Sequence, residues 1–265
     1  MKKKILIIGG VAGGASAAAR LRRNSEEDEI IMFEKGPHVS FSNCALPYHL
    51  SGVIKTPDRL VLMSPEKFKK QFNIDARTNS EVISIDRKNK TVEIRKIDND
   101  EIYKESYDKL ILSPGAHPIV PKFEGSDEVS LFTIRNVVDI DKINQYLKNN
   151  NIKDVAVIGG GFIGVEAAEN LQDGGYNVSL VEAGNQILRP FDYDMVQILH
   201  KEIYDKGIDL ILEDKVEKFE KDTVVLSSGR KVRAQAVIMA IGVAPETKLA
   251  EDSDIELGET RAIKV

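Results

Sequence analysis

The hydrophobic pattern is dominated by short continuous apolar runs closed by glycine, the mark of strands buried on both faces of a parallel sheet. Lys3 to Gly14 reads as such a strand, KILIIGG, followed by a glycine turn and an alanine-rich helix. Asp154 to Gly164 repeats this as DVAVIGGGFIG, again leading into an alanine-rich helix, VEAAENL. Each opening is followed by a second strand that ends in an acid: EIIMFEK closes on Glu34 and YNVSLVEAG on Glu182. Each also reaches a later apolar strand closed by glycine and proline, YDKLILSPGAHP around Gly115 and QAVIMAIGVAP around Gly242. The pattern predicts an α/β protein with two Rossmann-like nucleotide-binding units in tandem.

Between these landmarks, helical periodicity marks Ser64–Phe72, Val137–Leu147 and Asp192–Lys206. Glu81–Asp86 and Thr91–Ile97 read as a strand pair around a polar turn at Arg87–Lys90, and Val224–Ser227 with Lys231–Arg233 as a hairpin. The Asn149–Asn151 run is a turn before the second unit. Prolines at 118, 121 and 245 place the boundaries, giving domains 1–118 and 119–245 and a return segment 246–265.

Composition narrows the function classes. The 265 residues carry 37 Lys+Arg against 42 Asp+Glu, a net charge of −5, so no general attraction to nucleic acid or anionic membrane is expected. One cysteine excludes an intramolecular disulfide and a paired-cysteine zinc site, and the four histidines lack metal-ligand spacing. The basic start and following apolar run imitate a secretory leader, but Gly9, Gly10, Gly13 and Gly14 break the run where a strand-to-helix turn wants them. A soluble cytoplasmic protein is expected.

A dinucleotide fold needs one glycine for a tight turn, one where the backbone approaches pyrophosphate, and one where helix meets strand. Gly159, Gly161 and Gly164 fill these places, with pyrophosphate expected over the helix N-terminus. Glu182 would accept from the adenosine ribose and repel a 2′-phosphate; with no arginine immediately after it, NADH is expected over NADPH. In the first unit Gly9 and Gly14 fit while Val11 stands at the middle position.

Cys44 lies in VSFSNCALPYHLSG, where a short helix is expected from Asn43 to Gly52. A thiol at a helix N-terminus is more thiolate-like and more nucleophilic, whereas a lone cysteine elsewhere is commonly a small apolar core residue.

Two nucleotide motifs flanking SFSNCALPY resemble the flavoprotein pyridine nucleotide-disulfide oxidoreductases, in particular the coenzyme A-disulfide reductase branch. The resemblance covers the whole chain and implies a glutathione-reductase-like fold, with FAD on the first unit and NAD(P)H on the second. It implies that Cys44 is the redox nucleophile and forms a mixed disulfide with coenzyme A, with Ser40 and Asn43 touching substrate beside it. Ser16, Arg20 and Arg23 fall where the family contacts coenzyme A, and two arginines suit a phosphorylated adenosine on an acidic protein. Gly9, Ala12, Gly13, Gly14, Glu34, Lys35, Ser113 and Gly115 match FAD positions. Gly159, Gly161, Ile163, Gly164, Glu182 and Gly242 belong to the nicotinamide dinucleotide site, and Glu166 matches a carboxylate near flavin and nicotinamide.

NADH oxidases and peroxidases are similar, cycling one cysteine through a sulfenic acid, but carry a histidine where this chain has Ala12. Disulfide, persulfide or polysulfide reduction is therefore the leading expectation. Family members continue into a second FAD motif and a C-terminal dimerisation domain, whereas this sequence stops at Val265 inside an expected incoming strand, RAIKV. The resemblance thus implies a truncated chain with its dimerisation domain absent and a homodimeric full-length protein. A folded nucleotide-binding fragment without catalysis is the remaining alternative.

Overall fold

The apolar runs become the parallel strands. In the computed structural model, which describes residues 2–265, the chain begins with β1 (Lys4–Ile8), α1 (Ala12–Asn24), β2 (Glu29–Phe33), α2 (Pro65–Phe72) and β3 (Ile74–Arg77). An antiparallel ribbon follows, β4 (Ser80–Asp86), β5 (Thr91–Lys96) and β6 (Ile102–Ser106), before β7 (Lys109–Leu112). The parallel sheet has the order β3-β2-β1-β7. Side chains alternate across it: Leu6, Ile8, Ile31 and Phe33 pack on Val82, Ile85, Val92 and Ile94 of the ribbon. Ile7, Ile30 and Met32 pack on Ala18 of α1 and Phe68 of α2. With both faces covered, the strands read as unbroken apolar runs.

Strand β8 (Ala116–Pro118) leads into β9 (Ser130–Phe132), α3 (Val137–Asn149), β10 (Asp154–Ile158), α4 (Phe162–Asp173), β11 (Asn177–Val181), α5 (Tyr193–Asp205) and β12 (Asp209–Ile211). A second antiparallel ribbon, β13 (Val216–Glu220), β14 (Thr223–Leu226) and β15 (Lys231–Arg233), precedes β16 (Ala236–Met239). This sheet runs β12-β11-β10-β16-β9, all parallel. Its ribbon covers Ala156, Ile158, Val181 and Met239 with Val216, Phe219, Val224 and Val232. The design of the first unit is thereby repeated. β17 (Val243–Pro245) pairs with β8, and α6 (Lys248–Glu251) follows in the return segment.

The chain forms two compact units, one comprising the residues through Ser42, Val61–His117 and Pro245–Val265, the other Asn43–Leu60 and Pro118–Ala244. The division between them falls near Pro118 and Pro245. The segment Asn43–Leu60, expected with domain 1–118, instead packs with the second unit. Buried His49 explains this: its Nδ1–H donates to the Ile54 carbonyl (2.7 Å), leaving Nε2 to accept from Asn144 Nδ2 of α3 (3.0 Å). Ser51 Oγ donates to Asn170 Oδ1 of α4 (2.7 Å).

Two further expectations are corrected. The helix expected from Asn43 to Gly52 is two separate 3₁₀ turns, Asn43–Ala45 and Pro47–His49; Pro47 has no N–H with which to continue the first. The expected strand RAIKV contributes only an isolated bridge, Leu257 to Ile263, because Arg261 adopts positive φ (62°) and interrupts the extended backbone. Among the described residues no helix is long and apolar enough to cross a membrane.

Candidate dinucleotide sites and the cysteine segment

Each parallel sheet delivers a glycine turn from its central strand into a helix. Gly9 and Gly159 both have positive φ (96° and 109°), and a Cβ on either would sit 2.0 Å from the Ser113 carbonyl oxygen or 2.5 Å from that of Ala240. A Cβ on Gly14 or Gly164 would lie 1.8 Å from the carbonyl oxygen of Gly9 or Gly159. The helix therefore abuts the turn with no room for a side chain. At the tip the units differ: a Cβ on Gly161 would meet nothing within 4 Å, an open cradle of bare backbone, whereas Val11 fills the equivalent place.

The acids are held identically. Glu34 accepts from the Gly10 and Gly36 N–H groups (2.8 and 2.9 Å), and Glu182 from those of Gly160 and Gly184 (both 2.7 Å). Helices α1 and α4 have neither a side-chain N-cap nor an acid in the first turn, so their leading N–H groups are open to an anion. By contrast α2 and α3 are capped by Ser64 and Asn136. In the second unit a cleft of about 560 Å³ joins the glycine turn to Glu182, Arg189 and Ile241. In each unit an uncapped helix and a strand-end acid held by glycine N–H groups suit a dinucleotide, and in the second the bare cradle at Gly161 is added.

Residues 3–265 match the pyridine nucleotide-disulphide oxidoreductase family. The chain belongs to that family. Among relatives, it is 36% identical over 235 residues to an NADH oxidase of Methanocaldococcus jannaschii, covering 87% of this chain and 52% of that protein. It is also 36% identical over 237 residues to a coenzyme A disulfide reductase of Staphylococcus aureus, covering 89% and 53%. Reduced Bacillus anthracis CoADR-RHD superposes with TM-score 0.97 at 47% identity, over 100% of this chain and 48% of that one. A NAD-dependent persulfide reductase from A. fulgidus gives 0.92 at 31%, over 98% and 49%. The chain thus spans about half the length of the relatives it matches.

Within this oxidoreductase frame the other candidate residues fall as follows. Cys44 is exposed and unpaired but lies in a three-residue 3₁₀ turn, too short to supply an appreciable helix dipole. Asn43 opens the same turn, while Ser40 sits in the loop after β2 with positive φ (48°), its N–H donating to Gly10 O (2.8 Å). Ser16, Arg20 and Arg23 are exposed on α1, and among the described residues neither arginine has a hydrogen-bond or ion-pair partner. Arg22 between them is buried and donates to five main-chain carbonyls, a structural role. Lys35 pairs with Glu81 (2.7 Å). Ser113 takes the main-chain bond to Ile8 O (2.7 Å) and packs at Gly9, with its Oγ 3.4 Å from where a Cβ of Gly13 would stand. Ala12, like Ile163, lies exposed in the first turn of its helix. Gly115 and Gly242 have positive φ (80° and 135°) where the chain leaves each sheet.

Glu166 projects from α4, where burial and then the neighbouring Glu169 push its carboxyl above the usual range. One residue that sequence reasoning missed is Arg189. Its guanidinium lies 3.6 Å from Glu182 Oε1 and against Gly184, on the rim of the cleft. Its signal was the spacing, an arginine seven positions beyond the acid rather than adjacent to it.

Proposed function

We propose that this chain is the dinucleotide-binding portion of an FAD-dependent NADH:disulfide oxidoreductase that reduces coenzyme A disulfide, or a persulfide or polysulfide carried on coenzyme A. The observation carrying this reading is the combination of two acid-ended dinucleotide sites with a single, exposed thiol. The first unit holds FAD through Gly9, Gly14 and Glu34, the second NADH through Gly161, Gly164 and Glu182. Bound FAD supplies the two-electron relay between nicotinamide and disulfide.

The protein's own thiol makes and breaks the bonds. The Cys44 thiolate attacks one sulfur of the substrate disulfide RSSR, forms a mixed disulfide with RS and releases the other RS⁻. Two electrons originating from NADH then cleave the mixed disulfide to the Cys44 thiolate and the second RS⁻. With protons counted, NADH + H⁺ + RSSR gives NAD⁺ + 2 RSH. Having no second cysteine, the chain cannot close an internal disulfide, so the partner sulfur must come from substrate. Unpaired Arg20 and Arg23 receive the phosphorylated adenosine of coenzyme A, while Ser40 and Asn43 flank the reacting sulfurs. The setting is cytoplasmic, where a lone thiol stays reduced, and the working form a homodimer.

With FAD bound, Cys44→Ser is expected to lower NADH-dependent reduction of coenzyme A disulfide by about a thousandfold or more. Unchanged turnover would overturn the mechanism. The similarity to an NADH oxidase favours a second reading in which Cys44 cycles through a sulfenic acid. Oxygen consumption stoichiometric with NADH, and faster than disulfide reduction, would select it.

A further inference from the structure

We infer that His49 and Ser51 are positioning residues for Cys44: they fix the arm that carries the thiol onto α3 and α4, so that side chains far along the chain set where the sulfur stands. This rests on reading Cys44 as the thiol that attacks a coenzyme A disulfide.

An exposed thiol has no core contacts to hold it, so its position is inherited from the backbone around it. That backbone runs from Asn43 to Leu60, and just outside it Phe41 and Val61 form an antiparallel bridge while the Leu62 N–H donates to Ser40 O (2.8 Å). Within the arm, tight turns follow one another. The N–H of Leu46 donates to Asn43 O (3.3 Å), that of His49 to Leu46 O (3.1 Å) and that of Leu50 to Pro47 O (2.9 Å). Such turns pass a position along the arm but cannot set it, because each closes on a residue three places away.

Three distant contacts set it. Asn144, buried in α3, gives both hydrogen bonds of its Nδ2 to His49, one to Nε2 (3.0 Å) and one to the carbonyl oxygen (3.4 Å). Among the described residues its Oδ1 is buried without a partner, a cost borne by an amide whose side-chain bonds all go to His49. Ser51 Oγ donates to Asn170 Oδ1 (2.7 Å), and buried Asn170 is itself held by its Nδ2 donating to Glu166 O (2.9 Å). Between these two, the Leu50 carbonyl lies against the C-terminal end of α4, where a Cβ on Gly174 would stand 2.9 Å from its oxygen. Helix α4 therefore carries the bare cradle of Gly161 at its start and the cysteine arm at Asn170 and Gly174.

The test needs no cofactor. It pairs hydrogen exchange of the whole chain, read at the amides of Leu46, His49, Leu50 and Ile54, with the rate at which coenzyme A disulfide forms a mixed disulfide on Cys44. The double variant Ser51→Ala/Asn144→Ala is expected to speed exchange across the arm by about tenfold or more, while amides of β1 and β10 keep the parent's rates. Its mixed disulfide is expected to form about tenfold or more slowly, with alkylation of Cys44 by iodoacetamide, a small reagent needing no docking, shifted less than about threefold. Ser51→Ala alone should fall between parent and double variant, and Ser51→Thr, which keeps the hydroxyl donor, should stay near the parent. Parental exchange in the double variant, an unchanged rate with coenzyme A disulfide despite a loosened arm, or equal slowing of both reagents would each overturn the assignment. A parent chain that reacts with coenzyme A disulfide no faster than with hydroxyethyl disulfide would instead overturn the substrate reading beneath it.

Discussion

Overlaid by their glycine turns, the two units agree in backbone detail that no shared composition would require. Gly10 and Gly160 donate to acids from their neighbouring strands, and Gly36 and Gly184 donate to those same acids. Seven positions beyond each acid they part, Phe41 being buried and Arg189 exposed. They part again at the cradle, where Val11 stands opposite the bare backbone of Gly161. The shared features are those that any dinucleotide needs, a tight turn, a close helix and an acid at the ribose. The differing ones lie where two dinucleotides would themselves differ. The lesson is that the turn is a packing solution kept in both copies, whereas the copies differ at single residues on its rim.

The largest expected effect tests the packing half of that comparison. Gly14→Ala and Gly164→Ala each force a Cβ to within 1.8 Å of a carbonyl oxygen, and each is expected to cost about 2–3 kcal/mol in urea denaturation. Gly161→Ala, with open space around it and negative φ (−77°), should stay within about 0.5 kcal/mol of the parent yet weaken nucleotide binding. Equal destabilisation by Gly161→Ala and Gly164→Ala would break the distinction between cradle and packing glycine.

A smaller effect separates the units by pH. In the first unit burial raises the carboxyl of Glu105, but hydrogen bonds from Lys4 and Arg77 outweigh it and hold the group below its usual range. Glu81 is likewise raised by burial and held down overall by Lys35 and Arg95. Groups depressed in the fold contribute stability that is present above the unfolded pKa of about 4.3 and lost as pH falls through the folded value. In the second unit Asp214, raised by burial but held down overall by Ser228 and Ser227, and Glu220, held down by Lys231 and Lys218, behave likewise, but burial raises Asp139, and burial with Glu169 raises Glu166. Their contribution has the opposite sign, present at low pH and lost as pH rises through the folded values. Hydrogen exchange between about pH 6 and about pH 3.5 should therefore show the first unit loosening more on acidification. Equal loosening would contradict the account.

Much of this was legible in the chain. Continuous apolar runs identified the central strands because both faces of each sheet are covered, and the glycine spacing identified the turns because sterics there exclude other residues. Ser64–Phe72 and Asp192–Lys206 carried their helices, whose observed spans are Pro65–Phe72 and Tyr193–Asp205. What stayed hidden depended on contacts distant in sequence. Nothing local to Asn43–Leu60 shows that His49 and Ser51 will bind Asn144 and Asn170, about a hundred residues away. Strand β13 escaped notice because its half-exposed sequence, VEKFE, carries too few apolar positions. Arg189 was invisible as a neighbour of Glu182 because only the positive φ of Leu188 folds it back.

The central claim is that the two copies of one site divide the nucleotides between them. Glu34→Gln and Glu182→Gln, each titrated calorimetrically with FAD and with NADH, test it most directly. The account predicts a crossed result: Glu34→Gln weakens FAD alone, and Glu182→Gln weakens NADH alone. A variant that weakened both nucleotides equally, or the opposite assignment, would contradict it.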